Sequence, residues 1–317
     1  MALGGLLALP RLSLAQQPAR IFRVGIVSSG RRTEPYYVAF AQRLRDLGFA
    51  EGRNLVIEYR TSGGRVERLP ELAAELARKN CDVLVAPGTE ATLVALQQAT
   101  GDTPIVLVAV DYDPEATGHI ASLARPGGRI TGVSAVQSVL PAKRLELLKE
   151  LLPKARTIAV LSDTASTGQL DVARAAAKRL GVELHVAEFT RAPYDYESAL
   201  AAAVRANAEA LLVLGSANFV PARPLIPTLA LRHRLPSIFH NSVWAEAGGL
   251  LSYGPNFSDL FRRAAEQVSK ILNGAQPADM PVEQPATLEL VINLRTAKAL
   301  GIMIPPSIRL RADRLID

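Results

Sequence analysis

The chain has 317 residues, 49% of them hydrophobic and 21% charged, which is enough apolar material for two ordinary cores and argues against wholesale disorder. The net charge of +6 does not mark a nucleic-acid binder, because Arg43, Arg45, Arg65, Arg68, Arg78, Lys79, Arg262 and Arg263 are scattered over predicted helix faces and read as a solvated basic surface. A single cysteine, Cys81, excludes an intramolecular disulfide, and its place at the mouth of an apolar strand predicts a small buried hydrophobe.

Residues 2–9 form a short apolar stretch rich in Leu, Gly and Ala, followed by Pro10 and then Ser13-Leu14-Ala15. Small residues at that spacing predict a secretory signal over 1–15, cut after Ala15 to leave Gln16 as the mature N-terminus. The basic residues that usually precede such a run are absent. The stretch is too short for a stable bilayer anchor. No cysteine stands at the cleavage site, as lipid anchoring requires, so a periplasmic protein without a lipid anchor is expected.

Downstream, short apolar runs alternate with segments of helical periodicity. Strands are predicted at 24–27, 55–59, 83–86 and 105–109, with helices at 38–47 (ended by Gly48), 69–78 and 89–99. An extended crossover follows at 129–134, and a helix at 141–152. The pattern then recurs, with strands at 158–161, 183–186, 211–214 and 237–239 and helices at 169–180, 196–206 and 225–234. A glycine-bracketed strand at 248–255 is expected to return the chain to the first lobe, where 260–272 adds a helix before 281–283 crosses again. Related segments lie about 130 residues apart, as when Arg23-Val24-Gly25-Ile26-Val27-Ser28 is echoed by Thr157-Ile158-Ala159-Val160-Leu161-Ser162. The fold expected is α/β, two doubly wound parallel-sheet lobes joined by a three-crossover hinge. The first lobe takes 21–133 plus 252–282 and the second 134–251 plus 283–317.

Two similar lobes imply a cleft. The chain lacks a G-x-S-x-G elbow, a phosphate loop, a G-x-G-x-x-G turn, H-E-x-x-H and paired C-x-x-C. His119, His185, His233 and His240 are isolated, and Asp111-Tyr112-Asp113, next to Pro114, reads as a strand-ending turn. No metal, cofactor or catalytic residue is therefore expected. Small polar residues remain at strand C-termini in both lobes: Ser28-Ser29-Gly30, Pro87-Gly88-Thr89-Glu90, Asp111, Ser162-Asp163-Thr164, Gly215-Ser216-Ala217-Asn218 and Asn241-Ser242. Open parallel sheets bind ligands at such turns, although each residue could equally be a helix cap.

Three blocks carry a resemblance: 122–132 (SLARPGGRITG), 246–256 (EAGGLLSYGPN) and 290–301 (LVINLRTAKALG). Together they are similar to the signature blocks of the ABC-transporter substrate-binding protein family that includes tryptophan-type uptake, over about residues 22–317. The resemblance implies a periplasmic binding protein of type I architecture that delivers a small molecule to an ABC transporter permease, as a monomer. It places ligand contacts at Ser28, Ser29, Gly88, Thr89, Asp111, Ser162, Thr164, Ser216 and Asn218, with Tyr253 near the hinge. The 162–166 turn stands where the family carries Asn and Pro, and 240–244 where an Arg-bearing segment is common, so the ligand is not fixed by resemblance.

A Rossmann-like cytoplasmic enzyme is disfavoured by the missing glycine loop and acid/base pair. A ligand-sensing regulator is disfavoured because the first strand leaves no room for a DNA-binding segment. No cluster of Arg occupies the predicted turns, which argues against polyanions and for an amino acid or similar zwitterion. Its ammonium is expected on Asp111, and Tyr112, Phe219 or Trp244 is expected to wall the side chain.

Overall fold

The computed structural model describes residues 20–110, 112–135, 139–284 and 288–317. The signal segment and Asp111 lie outside them. The first sheet is parallel, ordered β2-β1-β3-β4-β5, from β1 (Phe22–Ser28), β2 (Leu55–Thr61), β3 (Val83–Gly88), β4 (Ile105–Ala109) and β5 (Ile130–Ser134). Helices α1 (Pro35–Asp46), α2 (Leu69–Ala77) and α3 (Glu90–Ala99) link its strands. Every residue of β3 and β4 is buried, because helices cover both faces of the sheet.

The second lobe opens with α4 (Leu140–Leu151) and then β6 (Thr157–Asp163), α5 (Thr167–Leu180), β7 (Glu183–Phe189), α6 (Tyr196–Arg205), β8 (Ala210–Val213), α7 (Leu225–Arg232), β9 (Ser237–Phe239), α8 (Ser242–Glu246) and β10 (Leu251–Pro255). The chain then leaves for α9 (Phe257–Leu272) and returns as β11 (Leu288–Asn293), α10 (Leu294–Leu300), α11 (Pro306–Arg309) and β12 (Arg314–Ile316). The sheet order is β12-β11-β10-β9-β8-β6-β7, parallel except for the antiparallel β10–β11 pair.

The strand expected to return the chain to the first lobe pairs instead with β9 and β11, so the crossover falls after Pro255. Close approach explains this: a Cβ on Gly254 would lie 2.0 Å from the His240 carbonyl oxygen, and Leu250 and Leu251 are buried in the second core. The C-terminal strands β11 and β12 also went unpredicted. They add an antiparallel pair to a lobe expected to be wholly parallel.

Helix α9 belongs to the first lobe. Leu260, Phe261, Ala264, Ala265, Val268, Ile271 and Leu272 are buried at helical spacing. Asn256 caps the helix, its side chain accepting from the Asp259 N–H at 3.1 Å. Phe261 meets both Tyr36 and Tyr37 of α1 with ring centroids 4.8 Å apart, and Arg43 pairs with Glu266 along the same seam. Chain reversals in each sheet fix where a ligand can enter. In the first sheet the order turns at β1/β3, and in the second at β6/β8, so the C-terminal ends of those four strands border one crevice.

Candidate ligand site between the lobes

Several cavities lie between the lobes, and two of them hold most of the candidate contacts. The larger, about 300 Å³, is lined by Val66, Thr89, Glu90, Ala91 and Tyr112 of the first lobe and by Thr164, Ala165 and Asn218 of the second. The smaller, about 40 Å³, lies nearer the hinge among Ser28, Ser29, Tyr36, Tyr37, Pro87, Gly88, Val110, Ser216, Ala217, Val220, His240, Phe257 and Phe261. That volume suits a few waters at most while the lobes stay together. The fold thus brings Ser28, Ser29, Gly88 and Ser216 to one cavity and Thr89, Thr164 and Asn218 to the other. Ser162 and Tyr253 line neither.

Ser162 is fully buried, its hydroxyl 3.1 Å from Ser166 Oγ. Tyr253 packs on the second core, and its carbonyl accepts from Arg144 Nε at 2.8 Å. Ser28 Oγ accepts from the Gly30 N–H at 3.0 Å and from the Tyr37 hydroxyl, a turn role at the cavity wall. Ser216 caps the short turn Ala217–Ala222 by accepting from the Asn218 N–H. Thr89 differs. It stands at the N-cap of α3 with no side-chain cap bond; its hydroxyl lies 3.4 Å from Thr92 Oγ1, the Thr92 N–H donates to the Thr89 carbonyl, and Thr89, Glu90 and Ala91 line the larger cavity.

Asp163, part of the Ser162–Thr164 turn but not of the contact set that the resemblance placed there, is the hub of this region. Its carboxylate is fully buried and accepts from Ser216 Oγ at 2.6 Å, Asn218 Nδ2 at 2.9 Å, the Ala165 N–H at 3.1 Å and Ser166 Oγ at 3.1 Å. With four donors in place it has little capacity left for a ligand, and its effect is to aim Ser216 and Asn218. Burial, then the nearby Asp163 charge, raises the pKa of Tyr194. Tyr194 is held by stacking on Phe189 at 4.8 Å and borders a wider space at the cleft's edge, which also reaches Asn218.

Of the aromatic walls expected, only Tyr112 faces the cleft. Phe219 and Trp244 are core residues, Trp244 stacked on Phe239 at 5.1 Å. Tyr36, Tyr37, Phe257 and Phe261 supply an aromatic wall that the sequence reading missed, because it began the first helix at Val38 and the ninth at Leu260. His240 at the same cavity is wholly buried. Desolvation, helped by the Arg144 charge, pushes its pKa down to about 3, and its Nδ1 has no hydrogen-bond partner among the described residues. The described residues hold no cluster of three or more His, Cys, Asp or Glu suited to a metal ion.

Two α/β lobes with a ligand-sized crevice at their facing switch points define a type I periplasmic binding protein architecture. The chain belongs to the ABC transporter substrate binding protein family, whose profile matches residues 27–316. It is similar to a tyrosine-binding protein of Clostridioides difficile (strain R20291), 28% identical over 279 residues, covering 87% of this chain and 78% of that one. Among solved structures it resembles an ABC domain in complex with L-Trp from Streptococcus pneumonia, at 25% identity and TM-score 0.81, covering 93% of this chain and 100% of that one. The ligand-free, open structure of CD0873, a substrate binding protein with adhesive properties from Clostridium difficile, is 27% identical, covers 93% of this chain and 99% of that chain, and gives TM-score 0.65.

Proposed function

We propose that this protein is the extracytoplasmic binding component of an ABC importer, taking up an α-amino acid, with aromatic side chains preferred, and presenting it to a permease. The observation that carries the reading is the uncapped N-terminus of α3, which faces Thr164 and Asn218 across the cleft. A ligand carboxylate is the natural occupant of free helix N–H groups, with the Thr89 and Thr164 hydroxyls as further donors. Asp111 is the proposed partner of the ammonium. It lies outside the described residues, but its chain neighbours Val110 and Tyr112 line the two cavities. Tyr112, Val66, Ala91 and Ala165 offer the side chain an aromatic and aliphatic wall. The tyrosine and L-Trp named for two relatives support this ligand class. Export with cleavage after Ala15, a monomeric state and a role without catalysis belong to the same proposal.

Isothermal titration of the purified chain with L-tyrosine, L-tryptophan, L-leucine and ribose tests it. Binding of an aromatic amino acid with no heat from ribose is the expected result. Sugar binding, or no amino acid bound at millimolar concentration, would sink the ligand class.

A further inference from the structure

One short segment of the second lobe reaches across the cleft onto the first. The turn Ala217–Ala222 follows β8, and three glycine turns of the first lobe receive it. A Cβ on Gly88 would lie 3.3 Å from Ala217 Cβ; one on Gly64, 3.0 Å from Pro221 Cγ and 3.3 Å from the Asn218 carbonyl oxygen; one on Gly30, 3.5 Å from Val220 Cγ1. Just past the turn, Arg223 forms an ion pair with Glu34, which precedes α1. Among ion pairs between described residues it is the one that joins the lobes at the cleft, the Arg263–Glu283 pair lying at a crossover. The Arg223 and Glu34 side chains are only 19% and 8% exposed; both line a separate cavity of about 250 Å³ that Ser29 also borders, and neither lines the two cavities that hold the other candidate contacts. Parting of the lobes would separate the two residues and return both charges to water.

We propose that residues 217–223 act as a closure tongue, and that the Arg223–Glu34 pair is a positioning clasp that sets the closed fraction, and through it ligand affinity, without touching the ligand. The proposal rests on the binding reading above. A ligand that binds the closed form is felt in proportion to how much of that form exists. Cutting one partner leaves the other charge desolvated in the closed state only, whereas replacing both by neutral groups removes that penalty.

The test uses the full chain with Arg223→Met, Glu34→Gln and the double variant, titrated with L-tyrosine and L-tryptophan. Arg223→Met should lose about tenfold or more in affinity, mostly through faster dissociation, with the ligand-free Tm unmoved; the double variant should recover most of the loss. Unchanged affinity in Arg223→Met, a double variant no better than the single, or an affinity loss matched by a fall in ligand-free Tm would overturn the clasp. A second arm needs no ligand. Gly88→Cys with Ala217→Cys, in a Cys81→Ala background, is oxidised with diamide and the rate of cross-linking followed. Strain at Gly88, whose φ is +97°, is common to both backgrounds and cancels. Adding Arg223→Met should slow the cross-link by about threefold or more, and equal rates would again overturn the clasp. If neither amino acid binds the unmodified chain, the ligand reading fails and the cross-linking rates alone decide on the tongue.

Discussion

Asp163 accepts four hydrogen bonds at its turn while Thr89, at a turn of the other lobe, has no side-chain cap bond to its helix, so the two positions answer differently to mutation. Asp163→Asn turns one acceptor into a donor facing Ser216 or Asn218. It should cost about 2–3 kcal/mol in urea unfolding and weaken ligand binding with it. Asp111→Asn keeps shape and removes charge, so calorimetry should show about a tenfold loss of amino-acid affinity with little change in stability. His240 gives a pH signature. Below its ordinary value of 6.5 the unfolded chain takes up a proton that the native state refuses until about pH 3. Stability from this residue is therefore flat above 6.5 and falls as pH drops through that window, by about 2 kcal/mol at pH 5. Urea midpoints at pH 7 and pH 5 should show that drop, and His240→Gln should shrink it. Which of Ser162, Asp163 and Thr164 faces the cleft was not legible in the sequence. β6 is buried on both faces, so no polar/apolar alternation marks the side that matters.

At the scale of elements, unbroken apolar runs and glycine-ended helices made most of both sheets readable. Strands 105–109 and 237–239 match their observed bounds, and most other elements differ by one to three residues at an end. The failures have physical causes. β10 is a glycine-flanked run like any crossover, and only its close approach to His240 assigns it to the second sheet. Pro35 opens α1 as an N1 proline, and treating the segment before Val38 as loop hid Tyr36 and Tyr37 from the cavity wall. The α1–α9 seam is where the first lobe is most exposed to damage. Phe261, 3% exposed and in contact with two tyrosine rings, should cost about 3–5 kcal/mol as Phe261→Ala. Circular dichroism in urea would show it, and a loss below 1 kcal/mol would mean that the seam is not a core contact.

For the molecule as a whole, the chain passes between lobes three times, and the turn Ala217–Ala222 reaches across the cleft onto the first lobe. A hinge of three crossings should let the lobes move as units. Small-angle scattering with and without a saturating aromatic amino acid should give a smaller radius of gyration in the bound form, and an unchanged radius would mean that the lobes do not close on ligand. The threading of the chain has another consequence, for synthesis. The first lobe lacks α9 until residue 272 has been made, and the second lacks β12 until Ile316, because each lobe is completed from sequence beyond its partner. A polypeptide emerging from its N-terminus therefore keeps both cores unfinished for most of its length, and long-range pairings of this kind form late. Such a chain stays slack during its synthesis and sets into shape only after nearly all of it has been made.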